Sequence, residues 1–162
     1  MNRSSIFISA TRLHVRRAHY LPLIFRYVLD VNRQVERAPG FLGGKLLYES
    51  GKTFWTLTFW EDESAMRKFQ SSGAHLYVMP KLLDWCDEAS VDHWHEPHAN
   101  DENFLDWQAV WQHMSANGRT SKVHFPSVAQ RAGQITKPRR SPFELRLKPI
   151  AFSSMYTVNE SA

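Results

Sequence analysis

The sequence predicts an α+β domain of the ferredoxin-like order β-α-β-β-α-β, and three observations carry that prediction. Residues 53–60, Thr-Phe-Trp-Thr-Leu-Thr-Phe-Trp, crowd aromatic and β-branched side chains into a run too short for a long helix, the composition of a strand buried on both faces. At Asp62 the period changes: Asp62 suits an N-cap, Glu63 the first turn, and Met66 and Phe69 one helical face. Ser50-Gly51-Lys52 joins the run to a preceding apolar stretch by a brief turn, which makes the two an antiparallel hairpin.

The remaining elements follow in order. Residues 5–15 alternate, with Ile6, Ile8 and Ala10 on one face and Phe7, Ser9, Thr11 and Leu13 on the other, as a strand requires. A helix is expected over residues 18–38, with Pro22 in its first turn, an apolar stripe of Leu21, Phe25, Val28, Val31 and Val35, and Pro39-Gly40 as its stop. Residues 41–49 form the second strand, whose Gly43-Gly44 pair suggests a bulge or a close backbone approach. The helix from Asp62 breaks near Ser71-Ser72-Gly73. A second helical piece resumes with Pro80 in its first turn and carries Leu82, Leu83 and Cys86 on its apolar side, and residues 89–96 make the fourth strand.

This order gives a four-stranded antiparallel sheet with its helices on one face. The strands hold apolar residues on both faces, so the second face needs a cover. A second copy of the sheet supplies one, giving a homodimer. The expected organisation is a domain of residues 1–97 and an extension of residues 98–162. The extension holds a helix over about residues 102–117 with Phe104, Leu105, Trp107, Val110, Trp111 and Met114, an irregular stretch to 142, and an extended arm over 143–157.

Composition bounds the function classes. The chain has 162 residues, 43% of them hydrophobic, and one cysteine, Cys86, read as a buried helical thiol; a reducing, cytoplasmic setting is expected. The net charge of +4 lies mostly in the extension, where Lys137-Pro-Arg-Arg-Ser-Pro142 reads as a solvated linker, so no nucleic-acid partner is expected. No run of about 18 apolar residues calls for a membrane. Nucleotide-binding glycine motifs, a phosphate loop, a Gly-x-Ser-x-Gly elbow and paired-cysteine zinc motifs are absent from the sequence.

Thr-Phe-Trp60-Glu closing the third strand and Ser64-Ala-Met-Arg-Lys-Phe69 opening the helix, in this order of elements, resemble the antibiotic biosynthesis monooxygenase superfamily of dimeric α/β barrels over about residues 5–96. Trp107-x-x-x-Trp111 and Gly118-Arg-Thr-Ser-Lys-Val-His-Phe-Pro126 are similar to an extension found in a bacterial subgroup of it. The resemblance implies two chemistries. In the haem-degrading branch an asparagine, a tryptophan and an iron-binding histidine stand where this chain has Thr11, Phe69 and Met79, so all three positions depart from that pattern. The other branch oxidises polycyclic phenols with neither metal nor flavin, in an aromatic cavity with a few polar groups.

Cofactor-free oxygenation needs a base to create a substrate anion, a group to steady that anion beside oxygen, and exclusion of water. His75, at the helix break, is the candidate base, and His14 or Arg12 the candidate for the anion. Trp60, Phe69, Tyr77, Met79 and Thr11 are the expected ligand lining, and a small aromatic or polyketide-like molecule the expected ligand. His93 and His95 share one strand face and form the only local hint of a metal, with no third ligand in sight. The competing reading is a non-catalytic, ligand-binding or structural homodimer in which these histidines are ordinary polar residues and the tail helix seals the barrel.

Overall fold

The computed structural model describes residues 5–97, 105–141 and 143–150. Phe104 and the far part of the expected arm, 151–157, lie outside the described residues. Strand β1 (Ile6–Val15) leads through one 3-10 turn (Ala18–Tyr20) into α1 (Leu21–Glu36), where Pro22 occupies the first turn. The hairpin β2 (Phe41–Glu49) and β3 (Thr53–Trp60) follows, then α2 (Glu63–Gln70), α3 (Gly73–Trp85) and β4 (Cys86–Glu96). Asp62 caps α2 by accepting a hydrogen bond from the Ala65 amide at 2.8 Å. The β2 register shifts between Phe41 and Gly43, and a Cβ on Gly44 would stand 2.5 Å from the Leu57 carbonyl oxygen. The glycine pair thus marks both a bulge and a close approach.

Four expectations change. Pro80 lies inside α3, since the helix begins at Gly73. Pro80 leaves the Leu76 carbonyl without its helical donor, and both residues are exposed, where water can replace it. Cys86 opens β4 and is not helical. The stretch expected to be irregular contains β5 (Arg119–Thr120) and α5 (Val128–Arg131). The sheet has six antiparallel strands where four are expected, in the order β5-β4-β1-β3-β2-β6, because β5 and β6 (Glu144–Leu147) add to its two edges.

The central four strands keep the ferredoxin-like order, and alternation sorts their side chains to two faces. Phe7, Trp60, Met66, Phe69 and Val35 pack beneath the helices at one end, and Val15, Ile24, Leu46 and Phe54 at the other. The opposite face carries Ile8, Ala10, Leu47, Trp55, Leu57, Phe59 and Trp94. On it lies α4 (Trp107–Asn117), whose Val110 and Met114 are fully buried. The face that the sequence assigns to a second copy is therefore occupied by the chain's own extension. Among the described residues no helix is long and apolar enough to cross a membrane.

Candidate active site

The site candidates fall on both sides of the sheet. On the helical side, the end of β3 and the start of α2 build a stack of rings. Trp60 is fully buried, donates its indole N–H to Thr58 Oγ1 at 2.9 Å, and stands 5.3 Å from both Phe41 and Phe69. Phe69 stands 4.9 Å from His75, at the start of α3.

His75 is held by a residue far away in sequence. The Gln34 side chain, on α1, accepts a hydrogen bond from the His75 amide at 2.8 Å and donates to the carbonyls of Phe69 (3.2 Å) and Ser72 (2.9 Å), which clamps the α2–α3 turn. Gly73 at the centre of that turn has φ +57°, and a Cβ there would stand 3.0 Å from the Gln34 amide. His75 Nδ1 lies 3.1 Å from the Gln70 carbonyl oxygen, so in the neutral ring Nδ1–H donates and the Nε2 lone pair stays available. Burial lowers the His75 pKa and the Gln70 carbonyl offsets only part of the shift. Near neutral pH this imidazole is uncharged and able to accept a proton.

A cleft of about 550 Å³ between α1 and α2 meets the stack at Phe69 alone, with Ala38 and Pro39 on its apolar side and Asp30, Arg33, Arg37 and Lys68 as its charged residues; neither Trp60 nor His75 lines it. A wider depression of about 660 Å³ on the outer side of α2 is lined by polar residues such as Glu63, Arg67 and Gln70 and touches none of the rings; the cleft beside Phe69 fits the chemistry better. Thr11 is half-buried on the helical face of β1. Tyr77 and Met79 do not join Trp60 and Phe69: they are 59% and 45% exposed on α3, with Tyr77 against Tyr27 and Lys81.

Arg12 and His14 belong to the opposite face. Arg12 is buried, its guanidinium 5.5 Å from Trp55 and 2.5 Å from Glu88. Burial alone would raise the Glu88 pKa, but hydrogen bonds from Arg12 and Ser127 outweigh it and hold the carboxyl below its usual range. His14 Nδ1 pairs with Asp87 at 2.6 Å. The sheet thus separates Arg12 and His14 from His75, and the three do not form one constellation.

His93 and His95 lie on the helical face against the Phe7 ring, at 5.6 and 5.0 Å. His93 Nε2 is buried without a hydrogen-bond partner, and burial, with Arg119, lowers its pKa. Among the described residues no three His, Cys, Asp or Glu side chains stand close enough to hold a metal ion. The residues at the haem-branch positions do not fit a haem either, since Phe69 packs on Trp60 and Met79 faces outward.

Sequence reasoning missed Gln34 and three histidine–carboxylate pairs: His14–Asp87, His113–Asp92 at 2.6 Å and His124–Asp84 at 2.7 Å. The partners are 21 to 73 residues apart, so no local pattern announces them.

Residues 24–81 match the family model for antibiotic biosynthesis monooxygenase. No curated protein matches the sequence. Among solved structures, the NE2512 protein of unknown function from Nitrosomonas europaea is 10% identical, with TM-score 0.52 over 61% of this chain and 96% of its own. A candidate antibiotic biosynthesis monooxygenase from the same organism is 11% identical, with TM-score 0.51 over 62% and 94%. SnoaB, a cofactor-independent oxygenase from Streptomyces nogalater, is 18% identical, with TM-score 0.46 over 62% and 98%. At these identities the likeness is one of fold.

Proposed function

We propose that this chain, whose residues 24–81 match the family model for antibiotic biosynthesis monooxygenase, binds a small aromatic or polyketide-like molecule beside the Trp60–Phe69–His75 stack and oxygenates it without a cofactor, with His75 as general base. The observation that supports this reading is the state of His75: an uncharged imidazole, its Nδ1 tied to the Gln70 carbonyl and its Nε2 open, at the edge of an aromatic stack. Nε2 takes a proton from a phenol or an activated ring carbon. The electrons left behind reduce oxygen as a carbon–oxygen bond forms, and the peroxide takes a proton and loses water as a carbonyl appears. Arg37 and Lys68 favour an anionic ligand at the neighbouring cleft, where Arg33 is paired with Asp30 at 3.5 Å. Arg12 and His14 have no part in this reading, and a second copy is not needed to complete the site. A reducing, cytoplasmic compartment suits the single buried thiol.

A second reading, ligand binding without catalysis, is favoured by the closed packing of Trp60 and Phe69. Oxygen uptake with a panel of dihydroxynaphthalenes and anthrones separates the two. Catalysis predicts uptake by the wild type and its loss in a folded His75→Ala variant; binding alone predicts tryptophan quenching by the same compounds and no uptake from either protein.

A further inference from the structure

We propose that the C-terminal extension is this chain's built-in substitute for a second subunit, so that the protein is a closed monomer. Sheet-to-sheet pairing of two copies needs one apolar sheet face bare on each. Here that face is filled from within: Val110 and Met114 of α4 enter the cluster of Ile8, Leu57 and Trp94, and Leu105, Trp107, Trp111 and Ile135 pack around it. Polar contacts fix the helix in place. Lys45 Nζ donates to the Leu105 carbonyl, the Trp107 indole N–H to Glu144 at 2.8 Å, and the Trp111 indole N–H to the Ile135 carbonyl at 2.7 Å; His113, stacked on Trp94, pairs with Asp92.

The extension also covers part of each sheet edge, two of the 11 residues of β4 and four of the 9 residues of β2. Strand β5 pairs with Ser90 and Val91 of β4, and β6 pairs with residues 44–47 of β2. The new edges are only two and four residues long and carry Arg119, Glu144 and Arg146; shortness and charge both discourage a further strand. One segment thus covers the face and borders both edges, the surfaces a twin would use. It also reaches the helical side, where Leu147 is buried in the cluster of Phe7, Trp60 and Phe69 and the Ile150 amide donates to the Glu36 carbonyl of α1 at 2.8 Å.

Sedimentation of the full chain tests this. The wild type should run at the mass of one chain from low micromolar concentration upward, and a wild-type dimer would overturn the proposal. Val110→Asp, which sets a carboxylate in the seam, should self-associate and bind an apolar dye; wild-type sedimentation and melting in this variant would contradict the seam. Should that variant not fold, Met114→Ala keeps the test open because it only opens a cavity in the same seam. It should speed tryptic cleavage after Arg119 and Lys122 several-fold and leave cleavage after Arg26 and Arg33 unchanged, whereas equal acceleration at both would overturn the proposal.

Discussion

At the scale of single residues, the chemistry rests on side chains whose partners are distant in sequence. Gln34 looks like any polar residue on a helix, yet it makes four hydrogen bonds to the turn that presents His75. Gln34→Ala should cost about 1–2 kcal/mol in urea unfolding and disturb ligand binding beside Phe69. Cys86 is fully buried and its thiol is pushed up to about 12 by burial, with Asp87 adding to the shift. It should resist alkylation at mildly alkaline pH in the native protein and react only after unfolding. His75 and His93 both bind a proton more weakly in the folded chain than their ordinary value of 6.5. Their contribution to stability is therefore full above that value and falls as pH drops below it, where the unfolded chain takes up protons more readily. Replacing both with glutamine should flatten the loss of stability between about pH 7 and pH 5, measured by urea midpoints. Glu88, with its lowered pKa, adds its own loss only at more acid pH.

At the scale of elements, what could be read from the sequence was what is local. The Asp62 cap, the hairpin around Ser50-Gly51-Lys52 and the alternation of β1 each depend on neighbours within a few residues, and each appears in the structure as expected. Gly44 carries a sharp consequence: the Leu57 carbonyl leaves no space for a methyl group, so Gly44→Ala should cost about 1–3 kcal/mol by thermal or urea melting. The start of α3 lies earlier than the sequence predicts because Gly73, which reads as a breaker, supplies a positive φ at the head of the helix while Gln34 secures the turn from outside. The two outer strands are illegible in the sequence for a different reason. Arg119–Thr120 and Glu144–Leu147 are too short and too charged to announce strands, and only the open edges of β4 and β2 give them order. Likewise the apolar stripe of α4 shows that the helix must pack somewhere but not on what.

At the scale of the whole molecule, one sheet serves two surroundings. Its helical side carries the ring stack, the cleft and His75, while its other side is sealed by the extension around Arg12, Trp55 and Trp94. Site residues chosen from sequence alone straddled that division because alternation assigns faces only relative to one another. Which face meets α2 and α3, and which meets α4, depends on packing between distant segments. The most direct measurement is hydrogen exchange with and without a bound dihydroxynaphthalene. Slower exchange at residues 30–39 and 65–76, with residues 107–120 unchanged, is the expected result. Slower exchange confined to residues 107–120 and to the strand around Arg12 would place the ligand on the wrong side of the sheet and contradict the account.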